Sequence, residues 1–564
     1  MFYMIHEARA GSDQILCGPF IFRNSHVSLT ETEKRLVCGD PQGSEPWRKI
    51  PVSQALFHLR TFLQSRGYHR SKSLKENDKW VIEAGVPTTV SRVAFQGMAD
   101  TRKLLKLRKI VGEILTPPLL DSVTARVSRT LQAMGFGCPK VDVEGDPDTG
   151  EILVKIDSGS IQNVLDVSEE PVDGVNEEIF RRYDAFQMGK RFDGDHLQLT
   201  QNRILSLGLV QSTYFSARCE AEGVLLRQKS VGGPPRRLTL GIGINTEKGP
   251  LARVTWRNAR MGQMASQIEL SVNAWFRNGN NNGQEFSALG SWYPLSRPSR
   301  FYLKPIFSVK HESTEPREFL LVQLQLGPAT TWDSQNLGLS ATLGPRLNVI
   351  RTARGTGMGD STFLSLSGSF TLMSHPFELY RTSPRCGFEL NLSASLSQKG
   401  WLSGVTAQAL HLDFQNLFNF LNEDPPFFVI GFRGGISTTI TAESLTSASL
   451  PAIFRYHLGG SKDLRGFSLL ELPDAQGALT AGFSSLEFRF PYTFPWGLQP
   501  LFFVDLGMTG KQFLSLDGAL YWSPGLGLRW ETGIGVFRGT VANGFINSRS
   551  RAHPQFYLSY GEEF

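Results

Sequence analysis

From residue 237 onward the chain alternates. In RLTLGIGIN, Leu238, Leu240, Ile242 and Ile244 share one face, while Thr239, Gly241, Gly243 and Asn245 share the other. ARVTWRN sets Ala252, Val254 and Trp256 against Arg253, Thr255 and Arg257. QIELSVNAWF continues with Ile268, Leu270, Val272, Ala274 and Phe276 against Gln267, Glu269, Ser271 and Asn273. Successive side chains of a strand point to opposite faces, so a period of two predicts strands with one apolar and one polar side. The pattern predicts about sixteen strands between residues 237 and 564, many near the ~10 residues a membrane-spanning strand needs. The last is FYLSYGEEF, with Phe556, Leu558, Tyr560 and Phe564 on one face.

Before residue 230 the period is closer to 3.6 and the pattern repeats. FLQSRGY, TLQAMGF and RILSLGL each end a helical run with a glycine, at Gly67, Gly135 and Gly208, about 70 residues apart. Val52, Leu56, Leu59 and Leu63 lead to the first glycine, and Val123, Val127 and Leu131 to the second, at helical spacing. Each glycine is expected as a left-handed C-cap. Strands follow: KVDVEG and EILVKID, joined by the turn DPDTG, after the second cap, then STYFSAR and GVLLRQ after the third. The opening strand of the first repeat is expected within Ile15–Phe22. A period this long describes small domains in series. The segment RQKSVGGPPRR, with Gly232, Gly233, Pro234 and Pro235, ends the mixed region, because it can continue neither a helix nor a central strand.

Alternation alone also fits a soluble β-sandwich, whose strands have a mode of about 5–6 residues. Longer strands with one steadily polar face, an even strand count and 39 phenylalanines favour a closed membrane barrel with a wet interior. No window holds 18 consecutive apolar residues, so no transmembrane helix is expected. A mean hydropathy of −0.17 is compatible with a barrel wall that hides its lipid face by alternation. The net charge of +6 over 564 residues, without a basic block rich in aromatics, points away from nucleic acid. The opening MFYMIHEARAGSDQILCGPF lacks the basic and apolar regions of a signal peptide; if exported, the chain is expected to be mature, truncated or begun at a different Met. Cys17, Cys38, Cys138, Cys219 and Cys386 show no C-x-x-C pair and no nearby His at ligand spacing, so no metal or cofactor is expected. A Cys17–Cys38 disulfide is conceivable in an oxidising compartment, but the odd total favours unpaired thiols.

Few motifs promise chemistry. ARGTGMGD (353–360) and GGSK have glycine spacings reminiscent of phosphate loops but no following helix, and MGKR (188–191) has Asp184 where such a loop needs glycine. His411 and Asp413 share a strand face without a nucleophile or third group, as a polar lumen would place them. No enzyme is expected.

Three further motifs carry a family likeness: DLRGF (463–467), FVDLG (503–507) and the terminal YGEEF. With the repeats in front, the chain resembles the BamA/TamA superfamily of outer-membrane assembly and translocation factors over nearly its whole length. The resemblance implies α+β polypeptide-transport-associated (POTRA) repeats, each β-α-α-β-β, followed by an all-β, 16-stranded antiparallel transmembrane barrel. The domains are then residues 1–86, 87–158 and 159–230, with the barrel at 231–564. Three repeats resemble the TamA branch. The location implied is the bacterial outer membrane with the repeats in the periplasm. The partners implied are the lipid bilayer, unfolded β-barrel or autotransporter clients and a TamB-like inner-membrane-anchored protein.

Parity then nominates a site. In SSLEFRFP, Leu486, Phe488 and Phe490 form the apolar face, which turns Glu487 and Arg489 inward; in LFFVDLGM, Phe502, Val504, Leu506 and Met508 turn Asp505 and Gly507 inward. These are expected as strands twelve and thirteen, directly after the loop carrying Leu464, Arg465, Gly466 and Phe467. Parity alone leaves a solvated loop and an inserted one both open; the resemblance implies that the loop folds into the lumen with Arg465 on Asp505 first and Glu487 second, Gly466 letting the backbone pass close and Phe467 packing on the wall. Phe503 and Gly507 complete the strand motif, and Lys462 and Asp463 are expected to be solvated. The seam between first and last strands, at Gly241, Gly243, Gly561 and Phe564, is expected to pack weakly and open sideways. The function expected is assembly or translocation of client proteins; the alternatives are a two-partner secretion transporter and a passive pore.

Overall fold

The computed structural model describes residues 14–560 other than 18, 24–26, 41–48, 99–109, 277–281, 296–299, 315–317, 355–359, 382–383, 401, 421–425, 442–446, 492–493, 534, 548 and 551–552. The chain forms two compact units. The first takes Met1–Asn163, Arg191–Gly194 and Arg218–Val224, and the second takes Val164–Lys190, Asp195–Ala217 and Leu225–Phe564.

In the first unit, the first repeat comprises β1 (Gln14–Cys17), β2 (Phe20–Phe22), α1 (Glu31–Cys38), α2 (Val52–Ser65), β3 (Lys72–Glu76) and β4 (Lys79–Glu83). The opening strand is split into a hairpin: β1 lies antiparallel on β2, which runs parallel to β4, giving the order β1-β2-β4-β3. The second repeat comprises β5 (Arg92–Gln96), α3 (Pro117–Ala133), β6 (Lys140–Gly145) and β7 (Glu151–Asp157), in the sheet order β5-β7-β6.

The helical stripes sit where the period places them. Ala55, Leu59 and Leu63 of α2, and Val123, Val127 and Leu131 of α3, are buried; Val52, in the first turn of α2, is exposed. Gly67 and Gly135 have φ of +87° and +94°. Behind them Tyr68 N donates to Leu63 O at 2.9 Å and Phe136 N to Leu131 O at 3.1 Å, the six-to-one bond of a Schellman cap.

The cysteine expectation is corrected. Cys17 pairs with Cys38, and Cys138 with Cys219, at Cα separations of 5.9 and 6.1 Å; Cys386 lies outside both bridges. Spacing along the chain concealed this, because the second pair is 81 residues apart and only folding brings the Cα atoms into disulfide range.

The third repeat, most of which belongs to the second unit, comprises β8 (Val164–Glu169), a 3₁₀ helix (Glu177–Tyr183), α4 (Gly194–Ser206), β9 (Ser212–Cys219) and β10 (Val224–Val231), in the sheet order β8-β10-β9. The first helix of the expected β-α-α-β-β order is thus a 3₁₀ helix of 7 residues, a form suited to short segments.

The barrel follows. Its first strands are β11 (Arg236–Asn245), β12 (Gly249–Met261), β13 (Ser266–Trp275), β14 (Asn282–Ser291), β15 (Phe301–Ser313) and β16 (Glu318–Asp333). Next come β17 (Leu337–Arg354), β18 (Ser361–Ser374), the short α5 (His375–Leu379), β19 (Gly387–Ser397), β20 (Ala407–Asn419) and β21 (Val429–Thr441). The wall ends with β22 (Thr480–Arg489), β23 (Leu498–Gly510), β24 (Tyr521–Thr532), β25 (Gly535–Ala542), β26 (Phe545–Ile546), β27 (Arg549–Ser550) and β28 (Gln555–Tyr560).

Each strand pairs with the next and β28 returns to β11, closing the barrel. Both β25 and β26 pair with β24, so they are one strand interrupted at Asn543 and Gly544; β27 and β28, paired back onto them, are another. The wall therefore has the sixteen antiparallel strands that the alternation predicts. Leu240, Ile242, Phe502, Val504 and Leu506 are exposed on the outside, as a lipid-facing surface requires. Among the described residues no helix is long and apolar enough to cross a membrane; the crossing is made by strands.

Candidate functional site in the barrel lumen

The chain between β21 and β22 turns back into the barrel, and Arg465 is only 1 % exposed there. Its backbone N donates to Asp505 Oδ2 at 3.0 Å, its Nε to the same oxygen at 2.9 Å, and its Nη2 to Oδ1 at 2.7 Å. Nη1 donates to Glu487 Oε2 at 2.7 Å and Nη2 to Ser485 Oγ at 2.9 Å. The guanidinium carbon lies 3.3 Å from the centroid of the Phe503 ring, so the plane rests on an aromatic face while its edge is spent on carboxylates. Both nominated partners are used, Asp505 through a bidentate fork and Glu487 through a single bond.

The register explains the convergence. Ser485 is directly opposite Asp505, and Glu487 opposite Phe503, across the β22–β23 ladder. With inward faces aligned, one guanidinium spans both strands. Glycines make the approach possible. Gly466 has φ +134°, and a Cβ there would lie 2.7 Å from Ser523 Cβ. A Cβ on Gly507 would lie 2.5 Å from Leu464 Cδ1, so that strand glycine is the hollow into which the loop leucine fits. Phe467 is fully buried, edge-on to Tyr521 at 5.9 Å between centroids.

Sequence reasoning missed part of the cluster. Glu487 also accepts from Arg489 Nε at 2.6 Å and Arg538 Nη2 at 2.9 Å, so three arginines converge on one carboxylate. Ser485 donates to Asp505 Oδ1 at 2.6 Å. Parity in SSLEFR already aims Ser485 inward with Glu487. Arg538, on β25, carried no such local signal. Asp463 is half-buried rather than free in solvent: its Oδ1 accepts from Gly459 N at 3.2 Å and Leu464 N at 2.9 Å, pinning the turn ahead of Arg465. Lys462 is exposed. His411 bonds to Ser437 at 3.0 Å and packs edge-on against Tyr456, as a lumen residue. Among the described residues no group of three or more metal-ligating side chains occurs. The arrangement holds a loop.

The seam is the second feature. Among the described residues β11 and β28 pair at Ile244 with Tyr560 and at Asn245 with Ser559. Thr246 adds two bonds to Leu558, at 3.0 and 3.2 Å. Residues Arg236–Asn245 pair along their whole length with β12. Gly243 lies against the last described residue of β28, where a Cβ would be 2.9 Å from Tyr560 O, and Gly241 lies two residues before it on β11. Gly561 and Phe564 lie outside the described residues.

A closed barrel of sixteen antiparallel strands, with an arginine-anchored lumen loop and mixed α/β repeats in front of it, is the class of fold these elements define. Residues 381–564, the C-terminal part of the barrel, match the Omp85 superfamily domain. The fold of the chain is similar to that of BamA from Haemophilus ducreyi lacking POTRA domains 1–3. The two are 16 % identical, with a TM-score of 0.50, over 84 % of this chain and 99 % of that one. CdiB from Escherichia coli matches at 12 % identity and TM-score 0.49, over 89 % of this chain and 95 % of that one. CdiB from Acinetobacter baumannii matches at 12 % and 0.47, over 90 % and 96 %.

Proposed function

We propose that this protein is an outer-membrane assembly or secretion factor that passes client strands through the seam between β11 and β28. The observation that carries the reading is the seam where the first barrel strand meets the last, at Ile244–Tyr560 and Asn245–Ser559, with Gly241 and Gly243 thinning the packing of β11 beside it. A sheet edge freed there by parting of the two strands is a template for strand addition. The role is non-enzymatic. The three repeats support the TamA-like form of the reading, in which they guide clients by β-augmentation and contact a TamB-like protein anchored in the inner membrane.

Asn245 and Ser559 are register partners, so cysteines at both positions can lock the seam. Oxidised Asn245→Cys/Ser559→Cys protein is expected to lose assembly of outer-membrane clients and to recover it on reduction. Full assembly while locked overturns the reading. Loss of one secreted client with all other outer-membrane proteins intact marks a dedicated secretion transporter, and steady single-channel conductance marks a pore.

A further inference from the structure

We infer that the inserted lumen loop is a clasp across the seam, holding the first hairpin and the last strand at the same time. On one side of the seam, Glu247 sits in the turn between β11 and β12 and is buried. Its Oε1 accepts from Ser461 N at 2.9 Å, and its Oε2 accepts from the Ser461 hydroxyl. Glu247 is itself set in place from the seam: its backbone N donates to Asn245 Oδ1 at 2.7 Å, and Asn245 is one of the two residues of β11 paired with β28. On the other side, Tyr557 of β28 turns its ring inward and donates from Oη to Phe467 O at 2.6 Å, while Gly466 N reaches the same hydroxyl at 3.5 Å.

Five residues of loop, Lys462 to Gly466, therefore separate the contact with the first hairpin from the contact with the last strand, and among them stands Arg465, fixed to β22 and β23. A small polar cavity of about 50 Å³ lies at this junction, lined by Asn245, Ser461, Arg465, Arg538, Tyr557 and Ser559 among others. The seam strands, the loop and the arginine anchor meet around it.

The loop ties reach both sides of the seam from a segment that Arg465 fixes to β22 and β23. Parting the strands must break the Glu247–Ser461 contact or the Tyr557–Phe467 contact. Withdrawal of the loop and opening of the seam are then one transition, and Glu247 and Tyr557 are positioning residues for it. This inference rests on the reading of the seam as the client route only for its consequence, not for its geometry.

The test uses the full chain in lipid, with Cys386→Ser and spin labels on the outward-facing positions Leu240→Cys and Phe556→Cys. The population of the wide β11–β28 distance is expected to rise about tenfold in Glu247→Gln, which weakens a bond to a charged acceptor, and about threefold in Tyr557→Phe. The double variant is expected to exceed the larger single effect only slightly, because one broken tie already frees the clasp. If Glu247→Gln does not fold, Ser461→Ala tests the same contact from the loop side. Unchanged distance distributions in all of these overturn the clasp, even where the seam-locking disulfide still blocks assembly. Widened distributions together with full assembly by the locked barrel retain the clasp and overturn the client route.

Discussion

Arg465 in the lumen and Arg203 beside the periplasmic turns each hold two carboxylates, yet they join different things. Arg465 fixes a loop to β22 and β23. Arg203, on α4 of the third repeat, reaches Asp333 at the end of β16 through bonds of 3.0 and 2.8 Å and Glu378 in α5 through bonds of 2.8 and 2.6 Å. Asp333 is shared further, with Arg300 and with His375 at 3.0 Å, and His375 is edge-on to His196 of α4 at 5.0 Å. Side-chain exposure separates the two. Arg203 and Glu378 are 15 % and 24 % exposed, whereas Arg465 and Asp505 are 1 % and 0 %. A buried pair is costly to form and costly to break, so the lumen cluster specifies one loop position, while the cluster at the strand ends keeps water and titratable neighbours.

The largest expected effect follows from the first half of that contrast. Arg465→Ala leaves Asp505 and Glu487 buried, the former without its fork, and is expected to lower stability by about 3–5 kcal/mol. Unfolding of the detergent-solubilised barrel, read by heat-modifiable gel migration, measures it. Arg465→Asp combined with Asp505→Arg is expected to regain part of the loss. A harmless single change and an absence of recovery in the swap would together remove the pairing.

The same contrast marks what could be read in the letters. The lumen site was legible because three of its parts lie on regular strands, where parity alone assigns Glu487, Asp505 and Gly507 to the inside. Gly67, Gly135 and Gly208 were legible because helix ends have local chemistry. The Arg203 cluster was not, since Asp333 and Glu378 stand 130 and 175 residues away and nothing local says that α4 meets those turns. Arg538 and the Cys138–Cys219 bridge were hidden for the same reason: each depends on closure of a long stretch of chain. The seam was legible as a place and not as a geometry, because glycine content does not say that Ile244 and Asn245 are the residues that meet Tyr560 and Ser559.

A second prediction sharpens the contrast through pH. Burial among the third repeat's side chains pushes Asp184 up to about 7, against the nearby Arg181, and burial with the neighbouring His375 pulls His196 down to about 4. A folded carboxyl titrating above its ordinary 3.8 holds a proton that the unfolded chain releases, so stability falls as pH rises from about 4 to 7. A folded imidazole titrating below its ordinary 6.5 stays neutral while the unfolded chain takes up a proton, so stability falls as pH drops from about 6.5 to 4. Between pH 4 and 6.5 the two slopes oppose and the third repeat is expected to be nearly indifferent to pH. Asp184→Asn leaves the histidine slope alone, and protection of α4 amides from hydrogen exchange is then expected to climb by about 3 kcal/mol across that window. A flat profile in the variant would show that His196 is not held neutral by its surroundings.

The smallest effect probes how much of the lumen lock is charge and how much is geometry. Ser485 stands between the two charged partners, donating to Asp505 Oδ1 at 2.6 Å and accepting from Arg465 Nη2 at 2.9 Å. Removing its hydroxyl strands neither of them, because Nη2 still donates to the same Oδ1 at 2.7 Å. Ser485→Ala is therefore expected to cost about 1 kcal/mol, the net worth of an ordinary hydrogen bond rather than the penalty of an orphaned charge. A loss near that of Arg465→Ala would mean that the hydroxyl sets the plane of the guanidinium and that the fork fails without it. A double-mutant cycle with Asp505→Asn separates these cases. Strong coupling assigns the serine an orienting role, and additivity leaves the lock to the two carboxylates and the phenyl face beneath them.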